Sequence, residues 1–302
     1  MDKPVKGLHL GAFGITVFAT FLWGISGIAA QILFQRYLFP PVGLVTIRLF
    51  LACGILFVFL RPKWPGRDWK RLVVLAAFGI LPSQLFYLLA IAYSNVAVAL
   101  LLQLLFLPMV VAYEIFEGIY RFSFWHIATI LLAMFGAFLL ITGSPFSLQL
   151  HVTSAAVLFG VLSAIGVAVY TLVPKPLVKR YNPWSVTMWS FLIAGIISLP
   201  FGAYSLLHTT ALANTQALPN IAILVLAVTI LGTVLAYGLY IRGRRQLTAT
   251  ESAIAAVGEP IFATALLYFV LGTLLTPFQY VGGALIVVSM ILLNSVVNAA
   301  KK

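Results

Sequence analysis

A chain of 302 residues that is 63% hydrophobic and only 8% charged cannot bury its apolar side chains in one water-soluble core, so a soluble globular enzyme or binding domain is excluded. The net charge of +12 does not point to nucleic acid, because the basic residues fall in short loops between apolar runs, where they set membrane topology and meet anionic lipid headgroups. Cys53 is the only cysteine and lies inside an apolar run, which rules out an intramolecular disulfide.

The first apolar run, residues 10–33, follows Lys3 and Lys6 in the manner of a signal sequence. It is too long for the apolar part of a cleaved leader and reads as a retained first span. Nine more runs follow at 41–60, 71–92, 95–116, 124–143, 152–173, 183–206, 219–240, 249–271 and 276–298. Each is long enough to cross a hydrocarbon layer of roughly 30 Å as a helix. Helices satisfy their own backbone hydrogen bonds in lipid, and the short alternating segments of a β-barrel are absent. The fold class predicted is therefore an all-α membrane protein of ten transmembrane helices. If the N-terminus starts inside, every Lys and Arg except Arg36 and Arg48 falls on the inner side, and both termini are cytoplasmic.

The ten spans divide into two fives, predicted as repeats over 1–148 and 149–302. Pro108 and Pro260 lie 152 residues apart, Ser123 and Thr276 lie 153 apart, and Gly118 and Gly272 lie 154 apart. Five is odd, so the second copy enters the membrane inverted. The loop charges agree: the loop between spans two and three is basic while its counterpart between seven and eight is bare, and the loop between eight and nine carries Arg242, Arg244 and Arg245. Inverted repeats are a pattern of secondary transporters, with a substrate site near the midplane.

The order of Leu22-Trp23-Gly24 in span one, Arg48 in span two, Gln103 to Pro108 in span four, Glu259-Pro260 in span nine, and Thr276-Pro277, Gln279 and Gly282-Gly283-Ala284 in span ten resembles the drug/metabolite transporter superfamily, in its ten-helix EamA-type branch. The resemblance covers nearly the whole chain. It implies a bacterial inner-membrane carrier or exporter of small metabolites, amino acids or drugs, similar to amino-acid exporters that include aromatic ones among their substrates.

Polar side chains in mid-membrane are the informative candidates, since each is expensive to insert. Glu259 sits ten residues into span nine, beside a helix-distorting proline; it either binds a substrate ammonium or a proton, or locks helices together as a hydrogen-bonded carboxyl. Arg48 could meet a substrate carboxylate, pair with an acid or helix-end carbonyls, or reach outward to the interface. Gln84, Tyr87, Gln103 and Asn95 supply hydrogen bonds either to a substrate or between helices. Trp23, Tyr170, Trp189 and Tyr237 lie away from the interfacial belt and either wall a pocket or simply pack. The site set is thus Glu259, Gln84, Tyr87, Gln103, Trp23, Trp189, Tyr237, Tyr170 and Arg48. The eight glycines Gly24, Gly27, Gly160, Gly166, Gly232, Gly238, Gly282 and Gly283 are assigned to close helix packing.

No catalytic or metal cluster argues for a membrane enzyme: His9, His126, His151 and His208 lie apart, and Glu114 and Glu117 form an i,i+3 pair expected on a solvated face at the inner boundary. No phosphate-binding loop points to ATP hydrolysis, and no ring of like charges or carbonyl motif points to a channel. The expectation is a secondary transporter exporting small metabolites, amino acids first, across the inner membrane by alternating access. Drugs or nucleobase-like metabolites are the alternative cargo. The partners are a small-molecule substrate and membrane lipid, with no cofactor. A monomer and a homodimer both fit.

Overall fold

The structure, a computed structural model, describes residues 10–60, 62–119, 124–144, 152–271 and 276–300. Lys3, Lys6, His9, Arg61, Arg121, Ser123, His151, Gly272, Lys301 and Lys302, and the boundary drawn at 148, lie outside the described residues.

Among the described residues there is no strand, and ten helical spans are traced. Seven helical segments are long and apolar enough to cross a membrane, from Leu10–Tyr37 through Leu218–Gly243. Phe124–Thr142 forms span five, Pro277–Ala300 span ten, and the pair Ala249–Ala256 and Glu259–Leu271 span nine. Local chemistry fixes several starts. Thr153 caps span six by accepting from the Ala156 amide at 3.1 Å, and Asn182 caps span seven by accepting from the Trp184 amide at 2.9 Å, with Pro183 next in the first turn. Leu38, at φ 52°, ends span one in left-handed backbone, and Pro40 and Pro41 restart the chain as span two.

Spans four and nine are both broken in mid-course. Span four runs Val96–Gln103 and then Phe106–Phe116; span nine breaks at Val257 and Gly258. At each break the ladder tightens to three-residue bonds, Leu105 N–H to Leu102 O at 3.2 Å and Gly258 N–H to Ala255 O at 3.2 Å. Spans three and eight share another irregularity. Each contains a π-helical segment, Leu75–Ile80 in one and Val228–Leu235 in the other. Both irregularities recur at the spacing of the two halves, so the repeat extends to the backbone.

The packing obeys the same symmetry. Span two lies along span seven, and span five along span ten. Span one packs on spans eight and nine, and span six packs on spans three and four. Exchanging the halves maps this pattern onto itself. In lipid such contacts depend on close backbone approach. Gly166 of span six is one such point: a Cβ there would run into the Ser83 amide of span three. Gly166→Ala must push these spans apart, and it is expected to lose about 1–3 kcal/mol of stability, measurable as a lower unfolding temperature in detergent.

Candidate functional site

The two π segments seat the first walls of the site. Gly79, in the span-three segment, faces Tyr170: a Cβ at Gly79 would lie 3.2 Å from the Tyr170 Cα, so span six can approach only because this side chain is missing. Gly232, in the span-eight segment, offers its carbonyl to the indole N–H of Trp23 at 3.1 Å. Gly79 and Gly232 lie at corresponding positions of the two halves. Trp23 and Tyr170 therefore enter the centre from the first spans of opposite halves. Tyr237, from span eight, completes the aromatic wall, with ring centroids 5.1 Å from Trp23 and 5.5 Å from Tyr170. These separations suit edge-on and tilted aromatic packing.

The walls line a narrow cavity of about 30 Å³. Polar groups line its other sides: Arg48 from span two, Ser83, Gln84 and Tyr87 from span three, Gln103 from span four and Glu259 from span nine. Arg48 is 4% exposed and Glu259 8%, so both ionisable groups are taken out of solvent. Among the described residues neither side chain forms an ion pair or hydrogen bond, although both line one cavity. The Arg48 Nε, both polar atoms of the Gln84 amide and the Tyr87 hydroxyl are buried with no hydrogen-bond partner. Gln84 lies beside the Tyr237 hydroxyl, but its amide does not reach hydrogen-bonding geometry there. Native interiors rarely leave such groups unmatched, and several of them converging on one space is the arrangement of a ligand site.

Eight of the nine side chains expected from the sequence line this cavity. Gln103 has a structural duty as well: its amide donates to the Ser163 hydroxyl at 2.7 Å, and Ser163 donates to the Ser83 carbonyl at 3.1 Å, tying spans four, six and three together. Trp189 is the exception. Its indole N–H donates to the Lys63 carbonyl at 3.1 Å and its ring packs edge-on against Trp64, 4.7 Å between centroids. Only two turns into span seven, it faces the basic loop after span two instead of the centre. Trp189→Phe is expected to leave substrate affinity within about twofold of the parent protein, measured by substrate-induced thermal shift, since it lies off the cavity.

Asn95 is also structural, capping span four by accepting from the Val98 amide at 2.9 Å. Glu114 departs further from expectation. It is 3% exposed, not solvated, and its two carboxylate oxygens accept from the Ala249 and Thr250 amides, each at 2.9 Å. Those amides open span nine, so a carboxylate from the first half caps a helix of the second. Thr248 and Glu251 close a capping box at the same helix start. Arg244, placed by the sequence in the basic loop after span eight, is 1% exposed and donates to the carbonyls of Thr171 and Leu247, both at 2.7 Å. It ties the last turn of span six to the link between spans eight and nine.

Residues 10–142 and 154–295 each match the EamA-like transporter family. The chain belongs to this family. An EamA-like relative, the uncharacterised inner membrane transporter YicL of Salmonella typhimurium, is 32% identical over 288 residues, covering 91% of this chain and 92% of the relative. The uncharacterised transporter YwfM of Bacillus subtilis is 24% identical, covering 92% of this chain and 91% of the relative. A solved crystal structure superposes with a TM-score of 0.73 at 18% identity, over 97% of this chain and 99% of that one, a likeness of fold alone. This EamA-like protein is thus a multi-pass membrane protein of a transporter family, and its paired matches fall on the two five-span halves.

Proposed function

We propose that the protein is a secondary transporter, not an enzyme, that exports small zwitterions, amino acids including aromatic ones, across the bacterial inner membrane. The observation that carries this reading is one buried cavity holding both a guanidinium and a carboxylate, unbridged, beside three aromatic rings. Each charge is expensive when desolvated alone. A zwitterion supplies one counter-charge to each: its ammonium meets Glu259 and its carboxylate meets Arg48, whose planar fork suits that partner. Gln84 and Tyr87 then find acceptors or donors on the same ligand, and Trp23, Tyr170 and Tyr237 cover its apolar part. A cationic drug would match Glu259 and leave Arg48 unmatched; an uncharged nucleobase would match neither.

Transport follows from the broken spans. Spans four and nine line the cavity from both halves and each carries a tightened turn in mid-course. Rocking of the halves about these turns would expose the site to one side and then the other. We place the basic end of the bundle, and both termini, in the cytoplasm by the positive-inside argument. The test is counterflow in proteoliposomes with a labelled amino acid. Competition by unlabelled amino acids is expected, and failure of the methyl ester and of the N-acetyl derivative to compete is expected with it. Equal competition by ester, N-acetyl compound and parent amino acid overturns the zwitterion reading. A linear ion current or a chemically altered product would replace the carrier with a channel or an enzyme.

A further inference from the structure

The basic end of the bundle carries a groove that takes no part in the central site. The first turn of span three lines it with Lys70, Arg71 and Val74, and the end of span four adds Tyr113. Span six, which packs on both, completes it with Leu172 and Val173. Its volume is about 360 Å³, far more than the central cavity offers.

Two cations meet in this groove with no acid to answer them, since none of its lining residues is Asp or Glu. The acids nearest in sequence are committed elsewhere. Asp68, in the turn before span three, accepts from the Arg180 guanidinium and from the Tyr181 hydroxyl, each at 3.1 Å. Glu114, beside Tyr113, turns the other way and caps span nine. Among the described residues the side chains of Lys70, Arg71 and Tyr113 form no hydrogen bond or ion pair. The rest of the groove is apolar, and one turn further along span three Phe78 is exposed. Trp69, next to Lys70, is exposed as well, as an indole at the level of the lipid headgroups is.

We infer that this groove binds an anionic phospholipid, with the phosphate between Lys70, Arg71 and the Tyr113 hydroxyl and an acyl chain along Val74 and Phe78. A guanidinium and an ammonium side by side suit a phosphodiester, and basic pockets between membrane helices at the cytoplasmic surface take such headgroups. The apolar walls add a preference for a ligand with a chain over a free phosphate. This is a shaped site, distinct from the diffuse attraction that any basic loop exerts on anionic lipid. Bound there, the lipid would join span three to span four, both of which line the central cavity. The inference concerns the lipid and not the cargo, so it stands or falls apart from the zwitterion reading.

Native mass spectrometry of the full chain in detergent tests it, with phosphatidylglycerol, phosphatidylethanolamine and soluble glycerol phosphate as probes. The parent protein is expected to hold phosphatidylglycerol about tenfold more tightly than phosphatidylethanolamine. Lys70→Gln with Arg71→Gln should lose that preference. Lys63→Gln with Arg67→Gln removes the same charge from the same loop, outside the groove, and should keep it. Tyr113→Phe removes no charge and should weaken phosphatidylglycerol about threefold, the effect of one hydrogen bond; it keeps the test decisive if the groove double variant folds poorly. Glycerol phosphate should fail to displace the lipid. Equal losses in the two double variants, with Tyr113→Phe unchanged, would reduce the groove to general charge attraction and overturn the site. Full displacement by glycerol phosphate would overturn the lipid as its occupant.

Discussion

Glu259→Gln is expected to abolish saturable amino-acid exchange while leaving the unfolding temperature in detergent unchanged or raised. The two halves of this expectation have one cause. Among the described residues the buried Glu259 carboxyl has no hydrogen-bond or ion-pair partner, so ionising it burdens the fold, and a neutral isostere relieves that burden. The substrate ammonium, by contrast, loses its counter-charge inside a desolvated cavity. Truncating one member of such a pair costs about 2–5 kcal/mol, or roughly 30-fold to several thousandfold in affinity. Arg48→Gln is expected to behave in the same way through the substrate carboxylate. A carboxyl whose duty was to lock helices together would show the reverse signature, a lowered unfolding temperature with substrate affinity retained. Equilibrium binding and thermal denaturation of the same preparation separate the two.

Glu114→Ala should produce that reverse signature. Its two oxygens satisfy the Ala249 and Thr250 amides at the buried start of span nine, and no other described acceptor serves them. Removing it orphans two helix-terminal donors together and takes a negative charge from the positive end of a helix dipole. Each unmatched buried donor costs about 1–3 kcal/mol, so a loss of about 2–5 kcal/mol is expected, seen as a lower denaturation temperature. Glu114→Gln keeps one acceptor and should lose about half as much. Unchanged stability in both variants would mean that the contact is not a clamp.

The architecture was legible in the sequence because each clue depends on length or charge alone. Twenty-residue apolar runs, basic charge in alternate loops and the Pro108–Pro260 spacing survive without knowledge of how any helix is rotated. Most of the cavity was legible for a related reason. Arg48, Gln84, Tyr87, Gln103 and Glu259 are long polar side chains in mid-span, and a membrane interior tolerates such groups only where they face protein or a ligand. The rotation of a helix was not legible. Trp23 and Trp189 both sit inside apolar runs whose hydropathy is nearly uniform around the helix, and nothing in the pattern says that one faces Tyr237 and the other Trp64.

Contacts across great sequence distance were hidden as well. Glu114 beside Glu117 looks like a solvated pair until span nine, 135 residues on, brings its amides to it. Arg244 has the sequence setting of any loop arginine, yet it closes on Thr171 across 73 residues. Ser83 and Ser163 are too common in membrane helices to stand out. The π segments did leave a trace. Gly79 and Gly232 lie 153 residues apart, the spacing of the repeat, and each stands where an aromatic ring is seated, although other glycine pairs such as Gly14 and Gly166 recur at nearly the same spacing.

The exchange of partners between halves bears on how the protein is made. Span one leaves the ribosome well before spans eight and nine, which supply most of the surface that covers its buried side. During that interval the Trp23 indole has no Gly232 carbonyl to bind. The first five helices should accordingly be a poor stand-alone product. When produced as two separate polypeptides, the halves are expected to escape degradation only when present in the same cell.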